Sequence, residues 1–183
     1  MSSILKVDQL QDSGGNSIIT SDGAGNITPG SLNIGNSQIA SNAAIATTKL
    51  GTGAVIQRVS NQDYSTTISG STSTYLGSGV TITPSSSSND ILILVTGVCE
   101  ASGADVNQYA DIQLHAGTTN IITFYHAIGY RTNSASRQDF STAFFHSPAT
   151  TSATQYRVYH LYNTGSQNYI YRHVNISAIE VAG

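Results

Sequence analysis

Tryptophan is absent and cysteine occurs once in the 183 residues. The lone Cys99 excludes an internal disulfide framework and a cysteine-built metal site within one chain. Inside the apolar run 91–99 it reads as a small buried hydrophobe. Charge is also scarce. Asp, Glu, Lys and Arg make up 9% of the chain, against about 25% in an average globular domain. Ser, Thr, Asn, Gln and Gly stand in their place, giving a surface that hydrogen-bonds, repels little and suits close packing between copies. The seven Lys and Arg are scattered and the formal net charge is -3, which argues against a phosphate-neutralising nucleic-acid surface. The longest apolar stretch, residues 91–95, is far short of the roughly 20 residues a membrane helix needs. The start, Met1-Ser2-Ser3-Ile4-Leu5-Lys6, has no basic segment leading into an apolar one, so the expectation is a soluble product made in a cytosol.

What is present is unevenly distributed. Residues 1–53 hold no aromatic residue and no histidine, whereas residues 54–183 hold all ten Tyr, all four Phe and all five His. This break places a boundary near Gly51-Thr52-Gly53. Before it, residues 4–10 and 17–20 read as short strands, with turns at 12–16 and 21–26. Such a hairpin or small meander over residues 1–30 is marginal alone, so Ile4, Leu5, Val7, Leu10, Ile18 and Ile19 are expected to dock on a partner. Over residues 31–53 the aliphatics thin out. Ile34, Ile39, Ile45, Leu50 and Val55 recur every five or six positions, matching neither the helical period nor the strand period. One chain cannot build a core this way, but three chains around an axis could, each giving one aliphatic per layer. The expectation is an extended stalk in a homotrimer, with a flexible linker as the alternative. Ala43, Ala44 and Ala46 allow a short helix over 40–49.

Residues 54–183 read as β segments: 54–60, 79–83 ended by Pro84, 91–99, 108–115, 120–129, 138–146, 155–162 and 169–181. Most alternate. Segment 91–99 is nearly all apolar, so a central strand buried on both faces or at an interface is expected. In the last segment Ile170, Arg172, Val174, Ile176, Ala178 and Glu180 share one predicted face. About eight strands without a convincing helix indicate an all-β antiparallel sandwich, jelly-roll-like, as the head domain.

No catalytic signature stands out: there is no Gly-x-Ser-x-Gly elbow, phosphate-binding glycine loop or His-Glu-x-x-His. Candidate carboxylates Asp63, Asp90, Asp105, Asp111, Asp139, Glu100 and Glu180 fall on turns or alternating faces and read as solvated. His115, His126, His146, His160 and His173 each fall on a predicted strand and read as surface or interface groups; copies around a threefold axis could bring identical histidines to a metal. No enzyme, cofactor or metal is expected. The tyrosines suit core and subunit packing. The segment 130–137, with Tyr130, Arg131, Asn133 and Arg137, is the loop best suited to outside contacts.

Several short runs resemble a known class. The Lys6-Val7-Asp8 triplet and the run Gln11-Asp12-Ser13-Gly14-Gly15-Asn16-Ser17-Ile18-Ile19 resemble the N-terminal segments of small structural proteins of marine bacteriophages, of the cyanophage and pelagiphage type. Ile39, Ala44, Ile45, Lys49 and Leu50 resemble the spaced aliphatics of phage tail-fibre stalks. The runs Val80-Thr81-Ile82-Thr83-Pro84, Ile91-Leu92-Ile93-Leu94-Val95, Ser147 to Tyr156 and Ile179-Glu180-Val181 are similar to a fibre head. The resemblance implies a homotrimeric virion structural protein assembled in the host cytoplasm. Its N-terminus would dock on tail or capsid proteins, and its head would face the host surface. A capsid decoration protein and a lectin for host cell-surface glycans are the alternatives. The stalk is much shorter than in long fibres.

Overall fold

The computed structural model describes residues 9–24, 26–29, 51–102, 109–128, 136–164 and 168–183. The chain divides into two compact units, Met1–Ile45 and Ala46–Gly183.

In the first unit β1 (Gln9–Gln11), β2 (Ser17–Ser21) and β3 (Ile27–Pro29) form an antiparallel sheet in that order. Two matching turns join them. Asp12 Oδ1 accepts the backbone N–H groups of Gly14 and Asn16 at 2.9 and 2.8 Å, while its other oxygen takes the Asn16 side chain at 3.0 Å. Ten residues on, Asp22 accepts Ala24 N, Asn26 N and Asn26 Nδ2 at 2.8, 3.1 and 2.6 Å. An Asp side chain thus substitutes for backbone acceptors in each turn. These bonds, the Asn side chain foremost, hold both carboxyls below their ordinary pKa.

Among its described residues the second unit contains eight strands: β4 (Val55–Ile68), β5 (Thr74–Ile82), β6 (Asp90–Ser102), β7 (Tyr109–Ala116), β8 (Thr119–Ile128), β9 (Ser136–His146), β10 (Thr154–Thr164) and β11 (Asn168–Val181). One sheet runs β5-β10-β7-β8, the other β4-β11-β6-β9, and every pairing is antiparallel. Strand β4 therefore pairs with β11, β5 with β10, β6 with β9 and β7 with β8. That is a long hairpin of four strand pairs rolled into two sheets, the jelly-roll connectivity. Alternation explains the core. Leu76, Val80, Ile82, Ile112, Leu114, Tyr156 and Val158 come from one sheet, and Ile91, Ile93, Val95, Phe140, Tyr171, Ile176 and Ala178 from the other; all are buried. Each large side chain contributes roughly 2 kcal/mol of burial. Gly97 opens space for Phe140, since a Cβ at Gly97 would overlap that ring.

The structure departs from the sequence reading in several places. Strands β4 and β5 are longer than the runs 54–60 and 79–83, because Ser, Thr, Asn and Gln in β4, and Gly77, Ser78 and Gly79 in β5, dilute the apolar signal. Strand β6 is central, but within the chain only one of its faces is buried; Leu94 on the other is 38% exposed. In β11 the inward set is Tyr169, Tyr171, Val174, Ile176, Ala178 and Glu180. The phase changes at a bulge, where Arg172 pairs with Val98 but Asn175 with Thr96. Ile170 and Arg172 therefore do not share a face with Val174. Arg137 lies on β9 beside Glu100 at 3.6 Å, not in a loop. The unit division after Ile45 precedes the expected boundary, and Gly53 N already donates to Ala182 O at 2.8 Å.

Candidate functional site

The outward face of the sheet β4-β11-β6-β9 holds both described depressions of the head, and its register sets out a graded pattern. Gln62, Asn175, Thr96 and Ser141 align in one row across the four strands. Ser60, Ser177, Leu94 and Ala143 form the next, and Arg58, Ile179, Leu92 and Phe145 the third. The face thus passes from amide and hydroxyl groups at one end to aliphatic and aromatic groups at the other. Phe145 is 59% exposed there.

Two shallow depressions mark the polar end. One, of about 470 Å³, is lined by Thr96, Val98, Asp139, Ser141, His173 and Asn175 among others. The second, of about 480 Å³, lies against Arg58, Ser60, Gln62, Asn175 and Ser177. Asn175 borders both. The β11 bulge shapes this end: His173 takes a left-handed backbone, φ 50°, at a cost of roughly 1–2 kcal/mol for a residue with a Cβ. The Asn175 amide stabilises it by donating to His173 O at 2.9 Å, and reaches Thr96 Oγ1 at 3.4 Å. Strained backbone next to a concave polar surface is a common mark of a binding site. Chemically the lining offers neutral donors and acceptors, one carboxylate, one imidazole and one guanidinium.

The opposite sheet carries an aromatic cluster that is closed on itself. The Arg157 guanidinium sits 3.5 Å from the centre of the Tyr75 ring and donates to Gly117 O at 2.9 Å, and His115 stacks on Tyr159 at 4.6 Å. That cluster leaves little face for a ligand.

The histidines divide, contrary to the surface reading. His160 and His115 are buried. His160 Nδ1 meets Tyr171 Oη at 2.6 Å, and His146 Nδ1 meets Tyr156 Oη at 2.8 Å. Burial lowers all three imidazole pKa values, that of His160 to about 4, and raises Tyr156 to about 12 and Tyr171 well above its ordinary value. Both members of each His–Tyr pair are therefore neutral, and the pairs act as internal hydrogen bonds. Among the described residues no three His, Cys, Asp or Glu side chains gather as a metal set. Cys99 is buried, and burial pushes its thiol up to about 12.

Glu180 also departs from expectation, being fully buried instead of solvated. Its Oε1 accepts Ser85 N, Ser85 Oγ and Asn89 Nδ2 at 2.6, 2.7 and 2.7 Å, and its Oε2 accepts Gln57 Nε2 at 2.6 Å. It ties the serine-rich turn before β6 to β11 and β4.

Of the expected docking residues, Leu10, Ile18 and Ile19 lie on β1 and β2 and are 50%, 44% and 39% exposed, while Ile4, Leu5 and Val7 lie outside the described residues. Of the stalk set only Val55 is described, on β4 and 64% exposed; Ile34, Ile39, Ile45, Leu50 and the helix over 40–49 lie outside. Tyr130, Arg131 and Asn133 also lie outside. The sequence reading missed the His173 bulge and the Asp-turn repeat. Both left a signal: inward apolar residues three apart at Tyr171 and Val174, and Asp followed four positions later by Asn, twice, ten residues apart. No protein-family model matches the chain, and no curated protein matches it significantly.

Proposed function

We propose that this chain is a non-enzymatic structural protein of a bacteriophage virion, a homotrimeric tail-fibre-like or tail-adaptor protein. It docks through its N-terminal unit and presents the jelly-roll head for attachment to the host surface. The observation that carries the reading is the small N-terminal sheet. Leu10, Ile18 and Ile19 stay exposed on β1 and β2 of a sheet of three short strands, and a sheet that small gains stability by packing on something else. The head supports the same reading. It is charge-poor and broad-faced, and its buried histidines and tyrosines are neutral pairs. The resemblance of the N-terminal run and of four head runs to phage structural proteins supplies the virion.

Deleting residues 1–30 tests it. The shortened protein is expected to be lost from purified particles while keeping its head fold by circular dichroism. Retention on particles refutes the docking role. The copy number per particle separates a tail location, with at most a few dozen copies, from a capsid decoration, with hundreds.

The polar depressions around Asn175 favour a second reading, in which the head is a lectin for neutral host glycans. Such ligands are met by planar amides and hydroxyls more than by charge. Binding to a glycan array that is lost in N175A supports it; silence of the full chain across a broad array counts against it.

A further inference from the structure

A strand at the edge of a sheet exposes a row of backbone N–H and C=O groups. Proteins blunt such edges with bulges, charges, proline or a covering element. Among the described strands the head has four at sheet edges, and three are blunted. Strand β8 has three register breaks against β7. Strand β5 breaks register against β10, and carries Gly77 and Gly79 with φ of 72° and 70°. Strand β4 carries Arg58 and Asp63, and its side is closed by β5, with Asn61 Nδ2 donating to Ser78 Oγ at 2.9 Å and Gln57 Nε2 to Thr83 O at 2.7 Å.

Strand β9 is different. It pairs with β6 without a register break from Ser136 to His146, and its other side carries no ladder partner among the described strands. From Phe140 to His146 it has no Asp, Glu, Lys, Arg or Pro. Its outward residues over this stretch are Ser141, Ala143 and the exposed Phe145.

We infer that the free edge of β9 is an interface between heads, occupied by β9 of a second copy of this chain. A backbone edge selects a strand, not a compact surface, as its partner. Strand pairing needs a regular and uncharged edge on both sides. Strand β4 is also regular from Gln57 to Ile68, but it carries Arg58 and Asp63 and lies against β5. Among the described strands β9 over Phe140–His146 therefore offers the better edge, and the matching edge in a second copy is again β9. Such a pair is antiparallel about a twofold axis, as a self-complementary contact between identical subunits requires. The uncharged stretch overlaps itself fully when Ala143 lies on that axis. Phe145 of each copy then falls opposite Ser141 of the other, and the two sheets become one continuous eight-stranded sheet. Direct cross-strand neighbours have Cβ atoms about 5 Å apart. The apolar row of Leu92 and Phe145 would continue beside the seam. The pairing joins heads of neighbouring assemblies and does not depend on how the tethers associate, nor on the virion reading.

The test uses the full chain. Sedimentation velocity of the wild type should show a concentration-dependent doubling of mass. In A143K two ammonium groups would face each other across the axis, and this should weaken the doubling about tenfold or more. Ala143 is exposed, so the fold should survive, which circular dichroism checks. A second variant, A143C, should give covalent pairs with a short thiol cross-linker, whereas S60C, exposed on β4 at the opposite edge of the same sheet, should not. Wild-type Cys99 is buried and serves as the unreactive background. Absence of doubling in the wild type, an unchanged A143K, or equal cross-linking of A143C and S60C would each overturn the inference.

Discussion

Replacing Glu180 by Gln changes one atom's chemistry in a fully buried side chain that accepts four hydrogen bonds. The new amide oxygen can keep the three donors from Ser85 and Asn89. The new amide NH2 must then face Gln57 Nε2, a donor against a donor. Turning the Gln57 amide over would relieve that clash but would remove its 2.7 Å bond to Thr83 O. The net loss is one charge-assisted hydrogen bond plus a frustrated neighbour, about 2 kcal/mol. For a domain of this size about 4 °C accompanies each kcal/mol, so E180Q should melt roughly 8 °C below the wild type at neutral pH in scanning calorimetry. The pH dependence provides a sharper check. Burial alone would raise the Glu180 pKa, but the donors from Asn89, Gln57 and Ser85 outweigh it and hold the carboxyl below its ordinary value. A folded-state pKa below the unfolded value of about 4.3 means that the stabilisation is fully present above that value. It is lost as pH falls through the folded-state pKa. The gap between wild type and E180Q should therefore be constant near neutrality and narrow below about pH 4. A variant melting within about 1 °C of wild type, or a gap that widens in acid, would refute this account of Glu180.

Two further predictions concern the core. His160, held to about 4 by burial, titrates near 6.5 when unfolded; stability should fall between about pH 6.5 and about pH 4, on the order of 3 kcal/mol in total, and level off below. Nuclear magnetic resonance should find its ring neutral through most of that range, and a ring protonated at pH 6 would contradict the burial. G97A should cost about 1–3 kcal/mol in urea unfolding by overpacking against the Phe140 ring. Adding F140L should recover part of that loss, whereas strictly additive costs would show that the ring is not the obstacle.

Much of the head was legible because its strands obey a period of two. Phe140 and Phe144 faced one way and Phe145 the other, and Tyr156, Val158 and His160 shared a face, as the alternation indicated. The approximate strand count followed from Pro84, the serine turn and the Gly117 turn. The outer-face site was less legible, since it depends on which residues of four separate strands align, and no local pattern reports register. The spacing of Tyr171 and Val174 marks a change of phase, but the left-handed backbone of His173 could not be read from it, because the bulge is set by the register against β6. Glu180 reads as an ordinary polar residue near the end of a strand. Only Gln57, Ser85 and Asn89, arriving from distant positions, make its burial possible.

Strand β11 has a consequence for how the molecule is made. It sits between β4, the first strand of the head, and β6, and hydrogen-bonds along nearly its whole length to both. Until synthesis has passed Val181, the two strands flanking it have no common partner, and β4 and β6 present open edges toward one another. The sheet is therefore completed after translation of the head, not during it. A nascent chain stalled anywhere before β11 would leave the facing edges of β4 and β6 unpaired, the condition in which strands pair with the wrong neighbour. In this fold the order of synthesis and the order of assembly run opposite ways, and folding yield should depend on the concentration of half-made chains more than on the stability of finished ones.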